Sequence, residues 1–141
     1  MPESSTYPAD WQATTLGRIP KEWEVRRLDQ MVEILDHMRV PISSEERSRR
    51  LGAVPYYGAN GQQGWIDHFL FDEPLILVAE DGGNFDDFAT RPIAYRISGK
   101  SWVNNHAHIL RASNGNSLDF IFLTLAHRDI RRANALKLLS Q

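Results

Sequence analysis

The chain has 141 residues, with 16 Lys plus Arg against 18 Asp plus Glu and a formal charge of −2. This length suits one domain, and 42% apolar residues are enough for one hydrophobic core, because a domain near 150 residues hides roughly 70% of its unfolded surface. The longest apolar run, Leu75 to Ala79, excludes a membrane helix of roughly 20 residues, and the pI near 6.2 excludes a uniformly basic nucleic-acid coat.

Cysteine is absent, which excludes disulfides and thiolate chemistry and fits a cytoplasmic location. The opening MPESSTYPADWQ has neither the basic n-region nor the apolar h-region of a secretory signal. Residues 1–15 are polar, carry Pro2 and Pro8, and read as a flexible N-terminal arm, with Trp11 available to dock on the domain. Gly17 and Pro20 punctuate a turn before Trp23. Over 28–36 the helical spacing of Leu28, Met31, Val32 and Leu35 predicts a short amphipathic helix, with Asp29 complementing its dipole. Pro41 stops it, and Ser44 is placed to cap a brief turn over Glu45 and Glu46. Residues 39–52 hold four arginines against two glutamates, a local excess of positive charge.

Short strands follow over 53–57, 65–70, 75–79, 93–97 and 102–111. LILVA at 75–79 is apolar on both faces, which predicts the central buried strand. Asn114-Gly115-Asn116 signals a turn, and Leu118, Ile121, Phe122 and Leu125 then repeat as one face of a helix. Residues 127–137 are basic. The predicted class is α+β: a single domain of several short, mostly antiparallel strands with helices near both ends.

Three segments carry possible chemistry. PYYGANGQQG at 55–64 holds three glycines, which build a tight loop presenting Tyr57, Asn60, Gln62 and Gln63. No helix or GK[ST] follows, so a phosphate cradle is not indicated. Amides pair bidentately with adenine in a major groove, although turn chemistry alone explains the loop as a structural hairpin with solvated glutamines. EDGGNFDD at 80–87 fails the EF-hand pattern, since the twelfth position from Asp81 is Pro92; Asp81-Gly82-Gly83 reads as a turn ending the buried strand. WVNNHAHIL at 102–110, read as one strand, puts Trp102, Asn104, His106, His108 and Leu110 on one face. His106, His108 and Glu80 form a possible metal set, but the cupin spacing fails, and buried hydrogen-bonded histidines explain the pattern better. His37 and His68, each beside an aspartate, read as surface residues. No G-x-S-x-G elbow occurs. Neither a catalytic nor a metal site is assigned, and the residues describe a binding module better than an enzyme.

Five segments occur in a particular order: LGRIPKEWEVRRL (16–28), RVPISSEER (39–47), PYYGANGQQGWID (55–67), LILVAEDGG (75–83) and GKSWVNNHAHIL (99–110). Together they resemble a target recognition domain from the specificity subunit of a type I restriction–modification system. The resemblance covers roughly 16–126. It implies a recognition-domain fold there, with 127–141 starting a helical spacer or docking segment, though a Gly-Ser-rich entry into that spacer is missing near 127–135. It implies sequence-specific double-stranded DNA binding without catalysis. Partners would be a methyltransferase subunit and, through it, a restriction subunit, with a second recognition domain or a homodimer completing the target. S-adenosylmethionine, ATP and Mg2+ would belong to those partners, leaving no cofactor in this chain. Because such motifs recur among members that read different DNA, Gly58, Gly61 and Gly83 read as backbone-shaping, and Asn105 with His106 as tying strand to loop. Base readers are expected in 42–52, 62–72 and 84–92. The residues assigned to DNA are Arg47, Arg49, Arg50, Tyr57, Asn60, Gln62, Gln63 and Arg91. Two other readings stay open: a metal-dependent enzyme using His106 and His108, and a protein-interaction module with a docking helix over 117–139 whose Leu136, Leu138 and Leu139 would be exposed.

Overall fold

The computed structural model describes residues 11–14, 17–20, 27–80, 84–113 and 115–128. Within them the α+β class holds: two four-stranded sheets, a small hairpin and a few short helices. The hairpin pairs β1 (Trp11–Thr14) with β2 (Gly17–Pro20), so part of the segment read as an arm is ordered as strand.

The first large sheet has the order β3 (Val32–Ile34), β10 (Ala107–Ala112), β7 (Leu75–Ala79), β8 (Ala94–Ile97), all antiparallel. β7 lies between two partners with all five residues buried, as its unbroken apolar run predicts. Its side chains alternate between two cores. Ile76 and Val78 pack with Ile121 and Leu125 of α3 (Leu118–Leu125). Leu75 and Leu77 pack with Phe71 and Val103 of the second sheet. That sheet runs β5 (Gly61–Ile66), β4 (Val54–Gly58), β9 (Lys100–Val103), β6 (Phe71–Asp72). Its β4–β9 pair is parallel and the others are antiparallel. Tyr56, Ile66 and Trp102 form a third cluster, with Ile42 and Val54 packed on it. α2 (Ser44–Ser48) adjoins this cluster, with Arg47 over the Tyr56 ring and Arg50 over the Trp102 ring.

Three departures from the sequence reading have physical causes. The helix expected over 28–36 is a single turn, α1 (Leu28–Met31), after which the chain becomes β3. Val32 and Ile34 pair with Ala112 and Leu110 of β10, and that ladder overrides a weak helical pattern. The apolar positions were nevertheless the inward ones: Val32 and Leu35 are buried and Leu28 and Met31 pack on the first core. The strand expected over 65–70 ends at Ile66, and the next strand begins at Phe71. The strand expected over 102–111 is two strands, β9 and β10, in different sheets. Asn104 Oδ1 accepts the His106 amide at 2.8 Å and closes a turn between them. The single histidine-bearing face therefore does not exist. His108 is buried and hydrogen-bonded, as expected, whereas His106 is exposed.

Smaller points follow the same logic. The α2 cap is Ser43, whose hydroxyl accepts the Glu46 amide at 3.0 Å, and not Ser44. His37 and His68 are exposed, as read. Gly115 has a positive φ of 78°, in keeping with the turn before α3. Asp81, Gly82, Gly83, Asn114 and everything from residue 129 onward, including Leu136, Leu138 and Leu139, lie outside the described residues.

Sequence-distant parts are tied by Asp36. Its carboxylate accepts the Ile109 amide at 2.9 Å and the His108 Nδ1–H at 2.6 Å, and the guanidinium of Arg39 lies 4.0 Å away. Burial works against its charge, but the bonds from His108 and Ile109 and the charges of His108 and Arg39 outweigh it and hold the carboxyl below its ordinary value of 3.8. A carboxyl depressed in the folded state adds stability that is complete above its unfolded value and is lost as pH falls through the folded one. Asp36→Asn should therefore lower stability at pH 7 by about 1–3 kcal/mol and flatten the acid-side loss below about pH 4. Urea denaturation across pH checks both, and parallel stability–pH curves for the two proteins would remove Asp36 from this role.

Candidate nucleic-acid interface

The eight residues assigned to DNA from the sequence fall on three elements. Tyr57, Asn60, Gln62 and Gln63 belong to the β4–β5 hairpin, so the glycine-rich segment is a strand–turn–strand unit with Ala59 and Asn60 at its tip. This is the structural hairpin weighed above, and its amides are still displayed, since Asn60, Gln62 and Gln63 are all exposed. Gly61, at φ 128°, occupies a conformation that suits glycine after the tip. Gln62 Nε2 donates to the Gly64 carbonyl at 3.1 Å. The Gln63 Oε1 accepts from Asn104 Nδ2 at 3.4 Å. Tyr57 is half-buried, 6.0 Å from the Tyr95 ring, and burial pushes its hydroxyl above the ordinary phenol range. It also lines an open cleft of about 490 Å³ with Arg96, Ile97, Ser98 and Asp119. In that cleft the Arg96 charge is met by Asp119 at 2.8 Å.

The arginines form the second group. Ser44 to Ser48 is helical, which turns Arg47 and Arg50 toward the sheet. Arg47 lies 4.4 Å from the Tyr56 ring centroid and Arg50 5.1 Å from that of Trp102. Arg50 also pairs with Asp67 at 3.1 Å and Glu46 at 3.7 Å. Arg49 is the outermost, 68% exposed, in an i,i+4 pair with Glu45 at 3.3 Å. Glu45 and Glu46 thus balance part of the cluster, and exposed pairs of this kind contribute roughly 0–1 kcal/mol. Adjacent residues on a strand face opposite ways, so Arg47, stacked on Tyr56, and the Tyr57 ring lie on opposite faces of β4. Arg91, the third group, is exposed in the β7–β8 connection, whose Phe85 and Phe88 pack on the α3 side of the first sheet. The structure does not gather the eight residues into one patch.

The metal set of the enzyme reading is not assembled. His108 points to Asp36, His106 lies in the turn before β10, and among the described residues no three His, Cys, Asp or Glu side chains stand together as metal ligands.

Residues that the sequence did not single out turn out to position the hairpin. Asn104 is 6% exposed, and its amide N–H donates to the Tyr57 carbonyl at 3.0 Å. The tie between strand and loop thus rests on Asn104 rather than Asn105. The Asn105 carbonyl instead accepts from Arg39 at 3.3 Å. The Arg39 guanidinium also donates to Asp36 O and Ala107 O, each at 3.0 Å, and pairs with Glu80 at 3.4 Å. The Tyr95 hydroxyl donates to the Gly58 carbonyl at 2.5 Å, and burial holds that hydroxyl well above the phenol range. An Asn side chain can bond the backbone two residues on and close a turn, and an Asn between two strand-like runs was the signal available for Asn104.

The profile of the family described as "Type I restriction modification DNA specificity domain" matches residues 20–140. A Haemophilus influenzae protein named as a type I restriction enzyme specificity subunit is 30% identical over 102 residues, which make up 72% of this chain and 25% of that protein. The chain thus spans about a quarter of the length of the curated relative it matches. No solved structure matches the chain. The family is a specificity component of type I restriction–modification systems, a part that recognises DNA and does not itself catalyse. With its profile covering residues 20–140, this chain belongs to the family of type I restriction–modification DNA specificity domains.

Proposed function

We propose that the chain is one target recognition domain and reads the sequence of double-stranded DNA through the exposed amides of the β4–β5 hairpin. The observation that carries this reading is the family match over residues 20–140. Supporting it is a short hairpin, fixed at both strands, that displays Asn60 and Gln62. Arg49 is the phosphate-facing residue of the basic cluster, with Arg47 and Arg50 steadying α2 against Tyr56 and Trp102 and approaching the backbone second. Arg91 makes a separate phosphate contact from the β7–β8 connection. In the assembled enzyme a methyltransferase subunit, supplied with S-adenosylmethionine, methylates adenine at the site so defined. A restriction subunit using ATP and Mg2+ translocates and cuts. A second recognition domain, or a second copy, reads the other half of a split target. The assembly works in the cytoplasm; no described helix is long and apolar enough to cross a membrane.

A second reading, docking of α3 on a protein partner, is favoured by one observation: Leu123 on α3 is 71% exposed. Gel filtration of wild type and Leu123→Ser with the methyltransferase subunit tests it: assembly lost in the variant while base discrimination is kept by the protein that does assemble would make α3 a docking face and not a DNA contact.

Selection from a random DNA pool, using the chain assembled with its methyltransferase subunit, should enrich one defined half-site; a pool that stays random would overturn the proposal. On the enriched DNA, Gln62→Ala should lose about 1–3 kcal/mol of discrimination at a single base pair. Unchanged discrimination at every position would withdraw Gln62 as a reader. Arg49→Gln should lower the slope of log affinity against log salt by about one, equally on matched and mismatched DNA. A slope identical to wild type would return Arg49 to a solvated ion pair with Glu45.

A further inference from the structure

The β4–β5 hairpin carries one residue more on β5 than on β4. Tyr56 faces Gly64 and Tyr57 faces Gln62, which leaves Gln63 as the extra residue of a β-bulge. Cross-strand partners share a face, and side chains alternate along each strand. Pro55 pairs with Trp65 and Tyr57 with Gln62, so Gln62 and Trp65 stand on the same face despite being three residues apart. Without the bulge, Gln62 would fall in step with Gly64 and Ile66, on the side where Ile66 is fully buried against Tyr56 and Trp102. The bulge therefore decides which way Gln62 faces.

The same bulge is anchored from outside the hairpin. Gln63 lies directly over Gly58: a Cβ at Gly58 would sit 2.2 Å from its Nε2 and 2.6 Å from its Cδ. Its Oε1 takes the Asn104 Nδ2–H, and Asn104 is held by the Tyr57 carbonyl and the His106 amide. Gly58 is itself held by the Tyr95 hydroxyl. Gln63 is thus tied to a residue outside the hairpin and packed on Gly58, whereas the bond from Gln62, Nε2 to the Gly64 carbonyl at 3.1 Å, stays within its own strand. We propose that Gln63 is a positioning residue: it locks the bulge against Gly58 and Asn104 so that Gln62, beside the half-exposed Trp65, presents to DNA. This rests on the DNA-reading proposal and assigns the two glutamines different tasks within it.

The test measures affinity of the chain, assembled as for the selection above, for its target and every single-base variant. Gln63→Met, similar in length but without the amide, should lose about five- to hundred-fold discrimination at the same base pair as Gln62→Ala, the range of one bidentate contact. The double variant should lose no more than Gln62→Ala alone, because a reader and its support act on one contact. Gly58→Ala should repeat the Gln63→Met pattern with little change in unfolding midpoint, since its Cβ displaces only the end of a flexible side chain; it decides the matter should Gln63→Met fail to fold. Gln63→Glu keeps an acceptor for Asn104 and should restore discrimination at that base pair. Loss at a different base pair, adding to that of Gln62→Ala, would make Gln63 a reader and overturn the proposal. Full discrimination in both Gln63→Met and Gly58→Ala, or in Gln62→Ala, would overturn it too. A wild-type protein without base preference would instead fail the DNA-reading proposal itself.

Discussion

Between Val103 and Ala107 the chain leaves one sheet and enters the other, and the side chain of Asn104 makes that transfer compact. A strand that simply continued would have placed His106 and Leu110 in the second sheet and left β7 without its central partner. Asn104 instead takes the His106 amide with its own oxygen, satisfies its own amide on Tyr57, and reaches Gln63 with its remaining donor. Burying an asparagine is costly unless its polar atoms are bonded. These contacts make the burial tolerable and couple three things to one residue: the crossover between sheets, the end of β4 and the bulge of β5. The hairpin that carries the candidate reading face is therefore fixed to the most buried part of the molecule.

Around this turn the charged groups are arranged for internal use. Asp36 and Arg39 follow β3 directly, and between them they bind His108, the backbone at Ile109, Asn105 and Ala107, and Glu80. Arg111, on the next turn of the same ladder, forms a two-pronged pair with Glu73, one prong at 2.7 Å, and reaches Glu33 at 3.1 Å. Those bonds hold the Glu73 carboxyl below its ordinary range and push the guanidinium further toward its charged form. A two-pronged guanidinium–carboxylate pair fixes orientation as well as charge. Arg39 and Arg111 are thus committed to holding strands together.

This matters for how a chain of net charge −2 approaches DNA. General attraction is small, so contact depends on a few cations whose intramolecular partners are weak. Arg49 fits, because its bond to Glu45 is exposed and exchangeable. Arg50 fits less well, being shared among Asp67, Glu46 and the Trp102 ring. Under the proposed function, modest phosphate grip is consistent with affinity spread over assembled subunits while the hairpin supplies discrimination.

The sequence by itself determined the class of the fold, the buried strand 75–79, the helix at 118–125 and the family, because each rests on local pattern or on motif order. It also determined which residues of 28–36 face inward, although not their conformation. An apolar spacing that suits a helix turn also suits a turn followed by a strand, and the choice fell to β10, whose backbone accepts Val32 and Ile34 as an edge partner. The same holds at 102–111, where alternation reads as one strand until Asn104 closes on His106. Gln62 and Gln63 look equivalent in sequence, two adjacent amides in a glycine-rich run. Only the tertiary structure separates them, because a bulge shifts the face of every residue beyond it, and a bulge is defined by pairing with another strand rather than by the residues it contains.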